Sequence, residues 1–198
     1  MTGSLKDQAV LVIGRGSGLA RAIALAAQDA GAQVIAAGRD PGALAASCAG
    51  EPGISTETVD LTDEASIAAL GERLGPLDHV VSTGSARARG RVPDLDRDAI
   101  RLSFDTKVIG PLMLAKHLAP RMSTSGSFVI FSGVAAAKIA VGTLGEQGKA
   151  DYFADISARN PARRIGTPDD IAQAVIFALT STFLTGQTLH IDGGEPLT

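Results

Sequence analysis

The sequence predicts an α/β protein in which a doubly wound parallel sheet carries helices on both faces. Short apolar runs, beginning with 9–14, alternate along the chain with segments in which apolar residues recur at helical spacing. Such alternation is typical of βαβ units, whose parallel strands are joined by right-handed crossovers. The chain has 198 residues and shows no internal repeat or linker. We therefore expect one domain over residues 1–198.

The individual elements follow from the apolar pattern and from the residues that interrupt it. The last helix has a clear start, because Thr167 can cap it and Pro168 can occupy its first position. The region 94–122 predicts one or two helices. The predicted strands lie at 9–14, 32–39, 54–61, 77–83, 127–133 and 187–194, and the other predicted helices at 17–31, 41–50, 62–74 and 167–179.

Composition excludes several classes of function. The net charge is −3 without a basic block, which argues against nucleic acid or anionic lipid as a partner. A single cysteine, Cys48, excludes an internal disulfide and suits a reducing compartment. No run approaches the roughly 18 apolar residues of a membrane helix, and no signal-peptide pattern precedes the first apolar run. We expect a cytoplasmic protein without a membrane partner, and the scattered histidines predict no metal site.

The segment GRGSGLA, residues 14–20, predicts a nucleotide-binding turn. Gly14 ends the first predicted strand, and glycines beyond it permit a tight turn with close approach of a ligand. The free N–H groups at the start of the next helix favour an anion such as a pyrophosphate. The spacing fits G-x-x-x-G-x-G with Ala20 in the third place, and a purely structural turn remains the alternative. The candidate residues here are Gly14, Arg15, Gly16, Ser17, Gly18 and Leu19.

The segment 163–194 contains the most specific motifs of the chain. Its Arg-x-Gly-x-Pro-x-Asp-Ile-Ala helix and its Thr-Gly…Asp-Gly-Gly strand resemble those of the short-chain dehydrogenase/reductase family. VDLTD (59–63) is similar to the family's adenine-contacting segment, which makes Asp60 and Leu61 candidates. VVSTGS (80–85) occupies the place of the Asn-Asn-Ala-Gly turn and adds Thr83 and Gly84.

The resemblance covers residues 6–132 and 152–194 and implies several properties. It implies a Rossmann-type fold, a nicotinamide dinucleotide cofactor, a small-molecule carbonyl or alcohol as substrate, and a homodimer or homotetramer. NAD-dependent dehydrogenases place an acidic residue at the end of the second strand; here that position is Gly38, followed by Arg39. Arg39 and Arg15 could bind a 2′-phosphate through their guanidinium forks, so we predict NADP, with NAD as second choice. The alternative is that both arginines are solvated surface charges.

The resemblance fails at the catalytic residues. The family uses a Tyr, a Lys four residues later, a Ser about 13 residues before the Tyr, and an Asn from the preceding helix. The Asn position holds Lys107, the Ser position is Gly133 with Ser132 beside it, and Tyr152 is followed four residues later by Ile156. Ser132 and Tyr152 are therefore the candidate catalytic residues. The alternative is that Tyr152 opens a short helix and packs its ring.

Family members are longer than this chain, and the shortfall falls between Ser132 and Tyr152. The run 138–142 cannot replace the family's sixth strand as a parallel neighbour, because it follows the fifth strand too closely for a crossover. Lys138 or Lys149 could replace the missing lysine, or both are solvated. A natural or engineered deletion, a segment omitted from the sequence and a specialised family member remain open. Two functions remain open as well: an NADP(H)-dependent oxidoreductase and a catalytically deficient nucleotide-binding or structural protein.

Overall fold

Five parallel strands form one sheet in the order β3-β2-β1-β4-β5 in the computed structural model, which describes residues 4–132 and 145–194. From β1 the chain proceeds outward through β2 and β3 and then returns to the other side of β1 as β4. The order therefore reverses between β1 and β4, and ligands of such sheets bind at the carboxyl ends of the strands beside this point. The strands are β1 (Ala9–Ile13), β2 (Gln33–Gly38), β3 (Ile54–Thr58), β4 (Leu77–Ser82) and β5 (Met122–Ile130).

Helices connect the strands and cover both faces of the sheet. The region 94–122, predicted as one or two helices, forms two helices joined by a π-helical turn at Asp105–Ile109. None of the helices in the described ranges is long and apolar enough to cross a bilayer. The helices are α1 (Leu19–Asp29), α2 (Pro41–Cys48), α3 (Glu64–Arg73), α4 (Arg97–Phe104), α5 (Gly110–Leu118), α6 (Glu146–Arg159) and α7 (Pro168–Thr180).

The core has two layers because successive residues of a strand point to opposite faces of the sheet. From β1, Val10 and Val12 pack with α1 and α7, whereas Leu11 and Ile13 pack with α3 and α5. All four side chains are at most 2% exposed, so β1 is buried on both faces. This arrangement confirms the predicted doubly wound α/β fold.

The predicted last strand, 187–194, is wrong: these residues form no strand. Leu189 and Ile191, whose alternation suggested a strand, are 44% and 46% exposed. A strand needs a neighbour for its backbone groups, and within the described ranges β5 pairs only with β4. The segment is held instead by Asn160 at the end of α6, whose Nδ2 donates to the carbonyl oxygen of Asp192 at 3.1 Å. The run 138–142 lies outside the described residues.

The ends of two other strands also differ from the prediction. β3 ends at Thr58 rather than at 61, because Asp60 turns back to accept hydrogen bonds from Thr62. β5 begins at Met122 rather than at 127, since Met122 and the mainly polar residues 123–126 extend the strand with an irregular register against β4. Apolar runs alone do not reveal such polar extensions.

Candidate nucleotide-binding site

The glycine turn between β1 and α1 leaves the start of α1 open. Gly16 and Gly18 have φ angles of +70° and +57°, a conformation that favours glycine. Gly18 precedes the first residue of α1, and among the described residues no side chain caps this helix. A Cβ atom at Gly18 would meet nothing within 4 Å. The first N–H groups of α1 are thus free to bind an anion.

The turn is locked to the ends of three strands by close contacts. A Cβ atom at Gly14 would lie 2.4 Å from Oγ1 of Thr83 and 2.6 Å from Cβ of Ala20, so only glycine fits there. The Thr83 hydroxyl and backbone N–H both donate to the carbonyl oxygen of Ile13, at 3.0 and 2.8 Å. A Cβ atom at Gly38 would lie 2.2 Å from the carbonyl oxygen of Gly14. The carboxyl ends of β1, β2 and β4 therefore meet at the glycine turn.

The side chains at the ends of β2 and β3 are charged and mutually attractive. Partial burial opposes ionisation of Asp60, but hydrogen bonds from the Thr62 backbone N–H (2.9 Å) and hydroxyl (2.7 Å) and the positive charge of Arg39 hold the pKa of Asp60 below its ordinary value. Arg39 and Arg15 are both exposed. Asp40 accepts a hydrogen bond from the Ala43 backbone N–H at 2.9 Å and so caps α2 instead of facing a ligand.

Leu61 and Gly84 lie against each other beneath this surface. The Leu61 side chain is 8% exposed and packs in the core, and its Cδ1 would lie 2.3 Å from a Cβ atom at Gly84. Only the backbone of Leu61 is therefore available to a ligand. The structure brings together all candidate cofactor-binding segments, namely 14–19, Arg39, 60–61 and 83–84, at the carboxyl edge of the sheet.

The candidate catalytic residues are not joined in the same way. Ser132 is exposed two residues after β5, and no hydrogen bond between described residues links it to Tyr152. Tyr152 lies in the middle of α6, not at the start of a short helix as predicted, because the helix already begins at Glu146. Its half-buried ring packs at 6.1 Å from the ring of Phe153, with a tilt of 44°. In the described part of the chain, no three His, Cys, Asp or Glu side chains group as metal ligands.

The structure also shows residues that the sequence reasoning missed. Gly38 matters for its close contact with Gly14, and the loop after β4 contains Arg87, whose Nη1 atom is buried without a hydrogen-bond partner among the described residues. The repeated arginines of SARARGR (85–91) were a visible signal for this loop. Asn160 had no such signal.

Comparisons with known proteins agree with this geometry. The family model described as enoyl-(acyl carrier protein) reductase matches residues 13–145 and 140–195. The 2-keto-3-deoxy-L-fuconate dehydrogenase of Xanthomonas campestris is 31% identical over 241 residues, covering 96% of this chain and 80% of that protein. The inactive 2-(S)-hydroxypropyl-CoM dehydrogenase 2 of Xanthobacter autotrophicus is 31% identical over 227 residues, covering 87% and 98%. The solved short-chain type dehydrogenase/reductase of Mycobacterium ulcerans is 27% identical, with a TM-score of 0.81 over 98% of this chain and 91% of that one.

The matches also show where this chain is shorter than its relatives. The alignment with the Xanthomonas protein spans 241 positions, more than the 198 residues of the whole chain, so that protein has residues that this one lacks. The family model matches in two parts that meet at 140–145. This break falls in the interval where the sequence predicted a shortfall.

Proposed function

Because this chain belongs to the short-chain dehydrogenase/reductase family, we propose that it is an NADP(H)-dependent oxidoreductase that interconverts a carbonyl and an alcohol. The observation that carries the proposal is the arrangement at the end of β2. Position 38 has no room for a side chain, Arg39 beside it is exposed, and the carboxylate of Asp40 is used as a helix cap. This arrangement disfavours an acidic contact to a ribose hydroxyl and favours a positive contact to a 2′-phosphate.

Different groups of described residues suit the different parts of a dinucleotide. The uncapped start of α1 and the open space at Gly18 suit the pyrophosphate, the backbone of Leu61 and the Asp60 carboxylate suit the adenine, and Arg39 with Arg15 suits the 2′-phosphate. When bound, the nicotinamide gives or takes a hydride. This chain must then hold the substrate beside it and move a proton to or from the substrate oxygen.

Titration calorimetry tests the cofactor preference. A charge-assisted hydrogen bond contributes roughly 1.5–3 kcal/mol, so NADPH should bind about tenfold or more tightly than NADH. Arg39→Ala should remove most of that difference, whereas Arg97→Ala, which removes an exposed charge from α4, should leave it intact. Equal affinities of the unmodified chain for NADPH and NADH would contradict the assignment.

A catalytically deficient nucleotide-binding protein is the second candidate, and the residues around Tyr152 favour it. Ile156 stands where a lysine would lower the pKa of the tyrosine, and Lys107 stands in the asparagine position within the π turn. Lys149 lies three residues before Tyr152 and so shares its side of α6, in the reverse order. One relative of equal identity is itself described as inactive.

An NADPH-oxidation screen over ketones, aldehydes and quinones separates the two candidates. A positioned acid is worth about 10²–10⁴-fold, and fixed donors around the oxygen about 10²–10³-fold. The deficient candidate predicts turnover lower by such factors than in a related reductase assayed in parallel. Robust turnover that Tyr152→Phe abolishes would establish Tyr152 as the acid. Turnover that survives the substitution would point to Ser132, Lys107 or a solvent-derived proton.

We also propose a homo-oligomer, a dimer or a tetramer. The connected helices α4 and α5 expose a series of large apolar side chains, and monomers rarely expose contiguous apolar patches of this kind. The apolar face of α7 mostly covers the sheet, but its Phe177 is 58% exposed. A monomer by light scattering at micromolar concentration would contradict the proposal. The exposed apolar residues along α4, the π turn and α5 are Leu102, Phe104, Val108, Ile109 and Leu112.

A further inference from the structure

The loop that follows β4, residues 83–91 (the β4 loop), is fixed in its first half by contacts at Gly84 and Ala86. Gly84 fits against the Leu61 side chain, where a Cβ atom would lie only 2.3 Å from Cδ1. Two residues later, the carbonyl oxygen of Ala86 accepts a hydrogen bond from the hydroxyl of Ser103 in α4, at 3.0 Å. The backbone is therefore fixed immediately before Arg87.

Arg87 has a buried guanidinium nitrogen that finds no acceptor among the described residues. Its Nη1 is the one buried side-chain nitrogen or oxygen in the described ranges that forms no hydrogen bond. The other arginines of this loop differ, because Arg91 pairs with Asp94 at 2.7 Å and Arg89 is exposed. A buried donor left without a partner costs about 1–3 kcal/mol, and more when the group is charged. Such a group in a folded protein therefore calls for a partner that binds there.

The position of the β4 loop in the sheet indicates which ligand supplies that partner. Arg39 and Asp60 lie at the ends of β2 and β3, on one side of β1, and the glycine turn follows β1 itself. The β4 loop lies on the opposite side of β1, between it and the end of β5, which Ser132 follows. In the proposed binding mode, Arg39 serves the 2′-phosphate and the N–H groups of the glycine turn serve the pyrophosphate. Arg87 lies on the other side of β1, toward the side where the substrate would react.

We propose that Arg87 binds a carboxylate of the substrate, so that the preferred substrates are hydroxy acids or oxo acids. The proposal rests on the proposed function, since it assigns the substrate class of the same site. A guanidinium keeps its charge at any physiological pH, and its planar fork matches the two oxygens of a carboxylate. An anionic substrate satisfies the buried Nη1 donor, whereas a neutral one leaves it without an acceptor.

Binding of small acids and their neutral esters tests the proposal in the full chain. The probes are 2-oxobutyrate and 3-hydroxybutyrate with their methyl esters, titrated calorimetrically in the presence and in the absence of NADP⁺. We expect the acids to bind about tenfold or more tightly than the esters. Arg87→Met should abolish this preference. Arg89→Met removes an exposed charge two residues along the same loop and should keep it.

The affinity for NADP⁺ in the same variants distinguishes the two possible anions. Unchanged NADP⁺ affinity in Arg87→Met, together with loss of the acid preference, supports the proposal. Weaker NADP⁺ binding with an intact acid preference would show that Arg87 serves a phosphate of the cofactor, and the proposal would be wrong. A preference for the acids that depends on Arg87 while no NADP⁺ binds would support the Arg87 assignment and overturn the proposed cofactor instead. Equal binding of acids and esters by the unmodified chain would overturn the Arg87 assignment.

Thermal unfolding gives a readout that does not depend on the choice of probe. Because Arg87→Met removes a partly buried charge whose Nη1 has no acceptor among the described residues, the ligand-free variant should unfold at the same temperature as the unmodified chain or higher. A clear decrease would mean that the guanidinium is already satisfied, which would contradict the proposal. Arg87→Lys keeps the charge but loses the fork, and we expect it to show an intermediate acid preference.

Discussion

Gly38→Ala is expected to destabilise the protein because the added methyl group meets a backbone atom. The new Cβ would lie 2.2 Å from the carbonyl oxygen of Gly14, whereas nonbonded carbon and oxygen atoms approach to about 3.3 Å. Roughly 1 Å of separation must therefore be created. Gly14 cannot yield freely, since its N–H donates to the carbonyl oxygen of Ala37 at 2.8 Å and its own Cα is enclosed by Thr83 and Ala20. Overpacking of this kind costs about 1–3 kcal/mol.

Urea and thermal unfolding measure this cost, and Gly42→Ala is the matched control. Gly42 lies in the first turn of α2, where a Cβ atom would meet only Oδ1 of Asp40 at 3.4 Å. Alanine in a helix is more favourable than glycine by about 0.5–1 kcal/mol, so the control should stabilise the chain. For a protein of this size each kcal/mol corresponds to about 2–4 °C in Tm. The two variants should therefore shift Tm in opposite directions, and equal stability of both would refute the contact between β2 and the glycine turn.

The same contact bears on cofactor preference. An acidic residue introduced at position 38 would displace Gly14, and with it the turn that suits the pyrophosphate, before its carboxylate could reach a ribose hydroxyl. Under the proposed NADP preference, the charge that distinguishes NADP from NAD is therefore expected at the next residue, Arg39. The structure explains in this way why the last residue of β2 is a glycine.

Two further predictions concern stability elsewhere in the fold. His79 is 2% exposed, with Nδ1 2.8 Å from Oγ of Ser127 and Nε2 3.0 Å from Oε1 of Gln8, and burial lowers its pKa. The neutral ring stabilises the fold fully above the unfolded-state pKa of about 6.5, and this stabilisation is lost as the pH falls through the lower folded-state pKa. The urea midpoint of the unmodified chain should therefore decrease between pH 7.5 and pH 5, and that of His79→Gln should decrease less. An equal pH dependence in the two proteins would contradict this. Thr167→Ala removes the N-cap of α7 and should cost about 1 kcal/mol, whereas Thr182→Ala, in an exposed turn, should cost almost nothing; comparable losses of Tm would contradict the role of the cap.

The sequence predicted the first four βα units because their signals are local. The buried runs of β1 and β2 are apolar, β4 adds the apolar residues Val80 and Val81, and Asp40 and Asp63 cap the helices that follow β2 and β3. The glycine turn could be recognised because its spacing lies within seven residues of one strand–helix junction. The chain order also places Arg39, Asp60 and Thr83 at the same edge of the sheet, so their proximity was predictable from sequence, whereas their role in binding a cofactor stays a prediction.

Features that depend on distant residues were not predictable. The pattern over 94–122 left one or two helices open and gave no sign of the π turn at Asp105–Ile109, and residues 187–194 were predicted as a strand but have no strand beside them in the described ranges. The close approach of Gly38 to Gly14 exists only once β1 and β2 are assembled, and the burial of Arg87 Nη1 away from any acceptor in the described ranges likewise depends on distant residues. Periodicity reports which residues face a core, but it does not report which atoms meet across it.

The candidate catalytic residue Tyr152 also shows that spacing along the chain must be combined with the direction of side chains. Within a helix, residues three or four apart share a side, and every side chain leans toward the amino terminus. A lysine four residues after a tyrosine leans back toward it, whereas Lys149, three residues before Tyr152, leans away. Presenting an ammonium on the carboxyl-terminal side of Tyr152 would need a cation where Ile156 stands. Spacing along one helix thus argues against activation of Tyr152 by a lysine, whereas the proposed nucleotide contacts at the glycine turn, Arg39 and Asp60 do not involve α6. We therefore expect nucleotide binding and proton transfer to be separable in this chain.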